Sequence, residues 1–194
     1  TLRALNSDQL GAFGSDQFAA LTSVQVQTLT TQQVSRLGSD DLNALTSQQF
    51  GQLATAQVAS LTTDQLGSLE SADVAGLGSQ GIRALSSAQF GALNTDGIVA
   101  LSTVQAASLS SAQVRGLTTD QMGALASEDL RALNSSALRA LNSDQLGALS
   151  STQLGQLTTT QVQQLTTAQI AALATDDLNA FTSDQFKAMA SSTV

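Results

Sequence analysis

Hydrophobic residues recur every eight positions along the whole chain. Starting at Leu5, every eighth residue up to Met189 is Leu, Phe or Met, and we call these positions the leucine track. A second apolar track begins at Leu2, continues through Leu10, and has Ala106 as its smallest member. A fixed internal period is the sequence signature of repeat architectures. The pattern therefore predicts a chain of about 24 octapeptide repeats.

The spacing of the two tracks argues against long regular elements. At about 100° per residue, an eight-residue step overshoots two helical turns, so the apolar stripe would wind around a continuous helix. In a strand, the apolar spacings of five and three are both odd, and neighbouring apolar residues would point to opposite faces. A β-solenoid with corners inside each octad would avoid this conflict, and we keep it as the alternative fold.

One short, capped helix in each octad fits the polar positions best. In residues 62–66 (TTDQL), Thr62 is predicted to cap the helix and Gln65 to return a hydrogen bond to the cap, as in a capping box. Leu61 and Leu66 then take the places of a hydrophobic staple. Each octad is therefore predicted to start a new helix before the previous one grows long.

Helices this short are unstable alone, because helix nucleation is costly. We therefore predict an all-α solenoid in which the two apolar tracks line a shared interior. An axis separation of roughly 8–10 Å between stacked helices favours three octads per coil, which gives a three-sided, prism-like superhelix of about eight coils. No spacer interrupts the phase, so residues 1–194 are predicted to form one domain, and we expect the chain to be part of a longer protein.

A third track is Ser or Thr in every octad, and a fourth is Gln in 16 of 24 octads. The hydroxyl track admits two interpretations: its members are the true N-caps, or their hydroxyls bond the backbone of the adjacent coil. We call the fourth set of positions the glutamine track. We assign structural roles to members of all four tracks: Leu5, Leu10, Phe13, Phe18, Leu61, Leu66, Leu69, Leu101, Ser7, Thr63, Gln9 and Gln65.

Composition argues against most kinds of chemistry. Charged residues make up 11 % of the chain and the net charge is −8, so no basic face for nucleic acid is expected. The chain contains no Cys and no His, which removes the usual thiol nucleophile, the usual neutral-pH base and the commonest transition-metal ligand. We expect no cofactor, no membrane insertion and no enzymatic activity.

A few local motifs suggest other chemistry but have simpler explanations. The carboxylate pairs Asp40-Asp41, Glu128-Asp129 and Asp176-Asp177 fit the first turn of a helix, where the helix dipole favours anions, better than a metal site. Residues 78–81 (GSQG) and 94–97 (NTDG) lack the Lys-Ser/Thr of a P-loop and are interpreted as weakened helix starts.

The phrases LTTDQLGSL, LTTTQVQQL and LTTAQIAAL resemble the octapeptide-repeat arrays of large bacterial proteins described as surface, adhesin-like or haem-utilisation/adhesion types. The resemblance covers essentially the whole chain and implies an extracellular or cell-surface repeat domain. It transfers no catalytic or ligand-binding residue.

We therefore expect a rigid, elongated spacer or display scaffold in a bacterial surface or secreted protein, with a fold not built like common domains. The alternative is a binding or adhesion module that uses its polar face for a protein, for a glycan or for end-to-end self-association.

Overall fold

The computed structural model describes the backbone of residues 2–192 of the 194-residue chain, and side chains up to Met189. It begins with a 3₁₀ helix, Leu2–Ala4, and continues with 23 α-helices in tandem. Residues 2–192 contain no β-strand, so the all-α prediction is confirmed and the β-solenoid alternative is wrong.

The contacts divide the chain into two compact units, residues 1–101 and residues 102–194. In the first unit, the helices are α1 Ser7–Gly11, α2 Ser15–Ala19, α3 Ser23–Thr28, α4 Thr31–Val34, α5 Ser39–Asn43, α6 Ser47–Phe50, α7 Thr55–Ala59, α8 Thr63–Gly67, α9 Ser71–Gly76, α10 Gly78–Ala84, α11 Ser87–Gly91 and α12 Thr95–Val99. In the second unit, they are α13 Thr103–Ala107, α14 Ser111–Arg115, α15 Thr119–Ala124, α16 Ser127–Ala132, α17 Ser135–Arg139, α18 Ser143–Gly147, α19 Ser151–Gln156, α20 Thr159–Gln164, α21 Thr167–Ala171, α22 Thr175–Asn179 and α23 Ser183–Ser192. The prediction of a single domain stays a prediction.

Each helix is short because the backbone returns to an extended conformation at the next N-cap. Thr62 before α8 has φ −79° and ψ 161°, and Thr118 before α15 has φ −75° and ψ 167°. Extended N-cap residues with a side-chain oxygen are the usual start of a helix. Since such a residue recurs in nearly every octad, most helices span only four to six residues.

The helices stack with a period of three in each unit. The helix pairs with the most extensive contacts are three elements apart, for example α2 with α5, α5 with α8, α14 with α17 and α17 with α20. One coil of each unit is therefore three octads, or 24 residues, long. This agrees with the three-sided coil predicted from the sequence.

The two apolar tracks form the interior of the coils. Leu10, Phe18, Leu66 and Leu101 have at most 5 % of their surface exposed. Two ring pairs have the spacing of hydrophobic staples: Phe13 and Phe18 lie 5.7 Å apart across the N-cap of α2, and Phe181 and Phe186 lie 6.3 Å apart across that of α23. Buried apolar area of this kind is what stabilises helices too short to persist alone.

The octad around α10 departs from the pattern. Its cap position is Gly78, which has φ +60° and is the one described residue with positive φ. Helix α10 follows α9 after Leu77 alone, with no extended N-cap between them. A residue with a Cβ would be strained at this φ, which explains the glycine. The predicted weak helix start at residues 78–81 is thus an uncapped start, whereas α12 at residues 94–97 is capped by Asn94.

Candidate functional site: the glutamine track

The capping box predicted at Thr62 and Gln65 is present. The backbone N–H of Gln65 donates to Thr62 Oγ1 at 3.1 Å, and the N–H of Thr62 donates to Gln65 Oε1 at 2.9 Å. Two N–H groups at the start of α8 that have no partner inside the helix are therefore satisfied. Gln9 makes the same box with Asn6 at the start of α1.

Gln65 also joins two coils. Its Nε2 donates to the carbonyl oxygens of Val34 at 2.9 Å and Leu37 at 2.8 Å, which lie 31 and 28 residues earlier. Carbonyls at the ends of helices lack partners inside the helix, and burial makes an unpaired one costly. The Gln65 side chain is 5 % exposed, and its oxygen and both hydrogens of its amide nitrogen are used.

The same contact repeats through both units. Carbonyls about 28 to 31 residues earlier accept from Nε2 of these members of the glutamine track: Gln33, Gln49, Gln57, Gln89, Gln145, Gln153, Gln161, Gln169 and Gln185. We call this the inter-coil amide contact. It is a regular row of hydrogen bonds that fixes each coil in register on the preceding one.

Sequence reasoning did not find the inter-coil amide contact, although one signal for it was present. A capping box accepts Gln or Glu at its third helical position, because either side chain can receive the N–H of the cap. The glutamine track contains 16 Gln and no Glu. Since only Gln has an amide donor, this bias indicates a second hydrogen bond in which the side chain donates.

In two octads the N-cap supplies the missing donor. Gly97 and Ala137 stand in the glutamine track, and in both octads the N-cap is Asn. Asn94 Nδ2 donates to the carbonyls of Gly67 at 3.1 Å and Leu69 at 2.9 Å, while its Oδ1 accepts from the N–H of Gly97. Asn134 makes the corresponding bonds in α17, reaching the carbonyl of Leu109 at 2.8 Å.

Asp73 is a buried acid in the glutamine track. It is 3 % exposed, and its Oδ2 has no hydrogen-bond partner. Burial, followed by repulsion from Glu70, raises its pKa from 3.8 to about 7, against a hydrogen bond from the Glu70 backbone that lowers it. Burial and the neighbouring Glu128 also raise the pKa of Asp129. A carboxylate accepts hydrogen bonds but cannot donate, so ionised Asp73 cannot make the inter-coil amide contact.

The hydroxyl track occupies the first helical position. Thr63 and Ser7 follow the N-caps Thr62 and Asn6, so the interpretation of this track as the N-cap is wrong. The hydroxyl of Ser111 donates to the backbone carbonyl of Ser136 at 2.9 Å, 25 residues later, in agreement with the second interpretation. Ser7 Oγ instead lies 3.4 Å from Arg36 Nη1 and accepts its hydrogen bond, while Thr63 is exposed.

The remaining predicted positions are divided between the interior and the surface. Leu61 and Leu69 are buried, whereas Leu5 and Phe13 in the first coil are partly exposed. The paired carboxylates lie in the first turns of α5, α16 and α22. Among the described residues, no three Asp, Glu, His or Cys side chains group as metal ligands would.

Comparison with known proteins places the chain in a family. No helix in the described part of the chain is both long enough and apolar enough to cross a membrane. The family model of the ALTTAQ repeat matches residues 1–31, 34–70, 66–103, 98–127 and 122–159, which is well over half of the chain. The search of curated proteins gives no match. The octapeptide resemblance seen in the sequence is thus confirmed as a repeat assignment, and the chain belongs to the ALTTAQ repeat family.

Proposed function

We propose that this chain is a non-enzymatic structural repeat domain that acts as a spacer or display scaffold. The observation that carries the proposal is the inter-coil amide contact. Because the same bonds attach each coil to the one before it, a unit can grow by whole coils without new contacts. The positions that face water are free to vary, as at the second helical position, where Asp64, Ala72 and Gln80 are all exposed.

The setting of the proposed scaffold rests on the resemblance alone. Octapeptide arrays of this kind resemble parts of adhesin-like surface proteins, so we place the domain in a bacterial surface or secreted chain. Binding of a protein or a glycan along the polar face is the competing hypothesis, and a glycan array and pulldown with the isolated chain would test it.

A spacer must hold two points at a fixed separation that increases with repeat number. The chain has no Cys, so a cysteine pair can be placed cleanly at the exposed positions Gln32 and Asp96 for spin labelling. Residues 46–69 form one coil of three octads and can be duplicated after Leu69 without changing the phase. We expect a narrow distance distribution that moves outward by about 10 Å when this coil is added.

The matched control is an insert of the same 24 residues in scrambled order, which keeps length and composition but removes the tracks. We expect the scrambled insert to broaden the distribution. A broad distribution in the parent chain, or an unchanged distance after the coil is duplicated, would contradict the spacer proposal.

A further inference from the structure

The contact between successive coils has two different sides. On the later coil, Gln57 donates from Nε2 to the carbonyls of Val26 at 2.9 Å and Leu29 at 2.8 Å. On the earlier coil, the acceptors are backbone carbonyls of the two apolar tracks. The later side therefore presents amide donors, and the earlier side presents carbonyl acceptors.

The first coil has the donor side without the acceptors. Gln9, Gln17 and Gln25 are exposed, and each Oε1 accepts from its own N-cap at 2.8–2.9 Å. Their Nε2 atoms have no acceptor among the described residues. These three side chains hold the capping-box conformation seen in the interior and leave a row of three amide donors, which we call the donor face.

The donor face is also less completely packed. Leu5, Phe13 and Leu21 of the leucine track are partly exposed here, whereas Leu29 and Leu45 in later coils are 3 % exposed. An amide row beside incompletely buried apolar side chains matches the composition of the interior coil contact. The surface is thus complementary to the acceptor side of an octad coil.

The last coil has the opposite deficiency. Ile170 and Leu178 are partly exposed and Phe186 is 45 % exposed, whereas the corresponding residues of preceding coils are fully buried: Leu146, Leu154 and Val162. The carbonyls of Leu141 and Leu157 accept from Gln169 and Gln185, 28 residues later. The 194-residue chain has no position 28 residues beyond Leu173 or Phe181. We call this surface the acceptor face.

We propose that copies of this 194-residue chain associate head to tail, the donor face of one copy seating on the acceptor face of the next through the inter-coil amide contact. The two faces differ, so the contact is heterologous and each added copy leaves both faces open. This goes beyond the proposed scaffold function, because a single copy can act as a spacer.

Replacement of Gln9, Gln17 and Gln25 by Glu tests the proposal. Glu keeps the capping box, since it still accepts from the N-cap, but it removes the amide donors and brings carboxylates toward carbonyl oxygens. In sedimentation equilibrium we expect the parent chain to rise in average mass with concentration beyond a dimer. The triple variant should associate at least about tenfold more weakly.

The matched control carries the same three substitutions at exposed glutamines outside the track, Gln48, Gln80 and Gln163, and should associate like the parent. Circular dichroism should show an unchanged fold for both variants. A parent chain that stays monomeric at millimolar concentration would overturn the proposal. So would equal association of the triple variant and the parent.

A second pair of proteins separates the surface from the particular residues. A copy of residues 49–72 fused before residue 1 continues the octad phase and covers the original donor face within the same chain. With its own Gln49, Gln57 and Gln65 intact, the added coil presents a new donor face and association should persist. With these three changed to Glu, association should be lost although Gln9, Gln17 and Gln25 remain; persistence there would contradict the proposal.

Discussion

Neighbouring octads, residues 62–69 and residues 70–77, place different side chains in the same buried position. Gln65 is 5 % exposed and bonded both to its own N-cap and to the preceding coil. Asp73 is 3 % exposed and leaves one carboxylate oxygen without a partner. The N-caps differ in parallel, since Thr62 accepts a side-chain bond and Glu70 does not.

The difference shows that the third helical position has two separable tasks. Receiving the N–H of the N-cap requires only an acceptor, which Gln and Asp both have. Holding the preceding coil requires a donor, which an ionised Asp lacks. The octad of α9 therefore retains a helix start while losing the bonds that fix it on the coil below.

Turning Gln65 into Glu should give the largest effect. The variant Gln65→Glu keeps the capping box but leaves the carbonyls of Val34 and Leu37 facing a buried carboxylate. We expect a loss of about 3 kcal/mol in the free energy of unfolding at pH 7, measured by urea denaturation. Gln9→Glu makes the same chemical change where no coil precedes it, and should cost less than about 0.5 kcal/mol. Equal losses in the two variants would show that Gln65 acts only as a capping residue.

The acid at position 73 should make stability depend on pH. Its pKa is about 7 in the folded chain and 3.8 in the ordinary state, so the folded chain binds the proton more tightly. Stability from this group is therefore fully present below about pH 4 and is lost as pH rises to about 7. Glu70 lies on the same helix, Asp96 lies on the packed helix α12, and the other packed helix, α6, contributes no titratable side chain.

We expect this loss to be about 2 kcal/mol in chemical unfolding followed from pH 4 to pH 8. The measurement is the difference between the parent chain and Asp73→Asn, which cancels the other carboxylates, including Asp129. A difference that does not change with pH would show that Asp73 ionises at its ordinary pKa.

Supplying the missing donor should stabilise the chain. By the register of the other members, a glutamine at position 73 would reach the carbonyls of Leu42 and Leu45, 31 and 28 residues earlier. We expect Asp73→Gln to raise the free energy of unfolding by about 1.5 kcal/mol at pH 8. Asp73→Asn removes the charge with a side chain one carbon shorter and should gain less. If the two variants are equally stable, charge removal alone explains the gain.

The caps, the interior and the coil size could be predicted because each depends on neighbouring residues or on a simple length. Thr62 and Gln65 are three residues apart, and a capping box needs no knowledge of the rest of the fold. The bonds from Gln65 to Val34 and Leu37 could not be placed, because their spacing follows only once the number of octads per coil and the direction of stacking are known. The partial exposure of Leu5 and Phe13 was missed for a related reason: the track pattern is the same in a terminal coil as in an interior one.

The smallest effect should come from moving the donor between the two positions that can carry it. Asn134 caps α17 and also donates to the carbonyl of Leu109, whereas a serine there would cap without donating. We expect Asn134→Ser to cost about 1 kcal/mol in urea unfolding. Adding Ala137→Gln should recover most of this loss, because the glutamine occupies the usual donor position.

The double-mutant cycle decides whether the two positions share one task. If they do, Ala137→Gln stabilises the Asn134→Ser variant more than the parent, in which Asn134 already holds the carbonyl. Asn142→Ser is the matched control, since Gln145 in the same octad already donates to Val114 and Leu117, and it should change stability by less than about 0.5 kcal/mol. Strictly additive changes at 134 and 137 would mean that the asparagine cap and the glutamine track stabilise the coil independently, and that the pairing of Asn with a missing Gln has another cause.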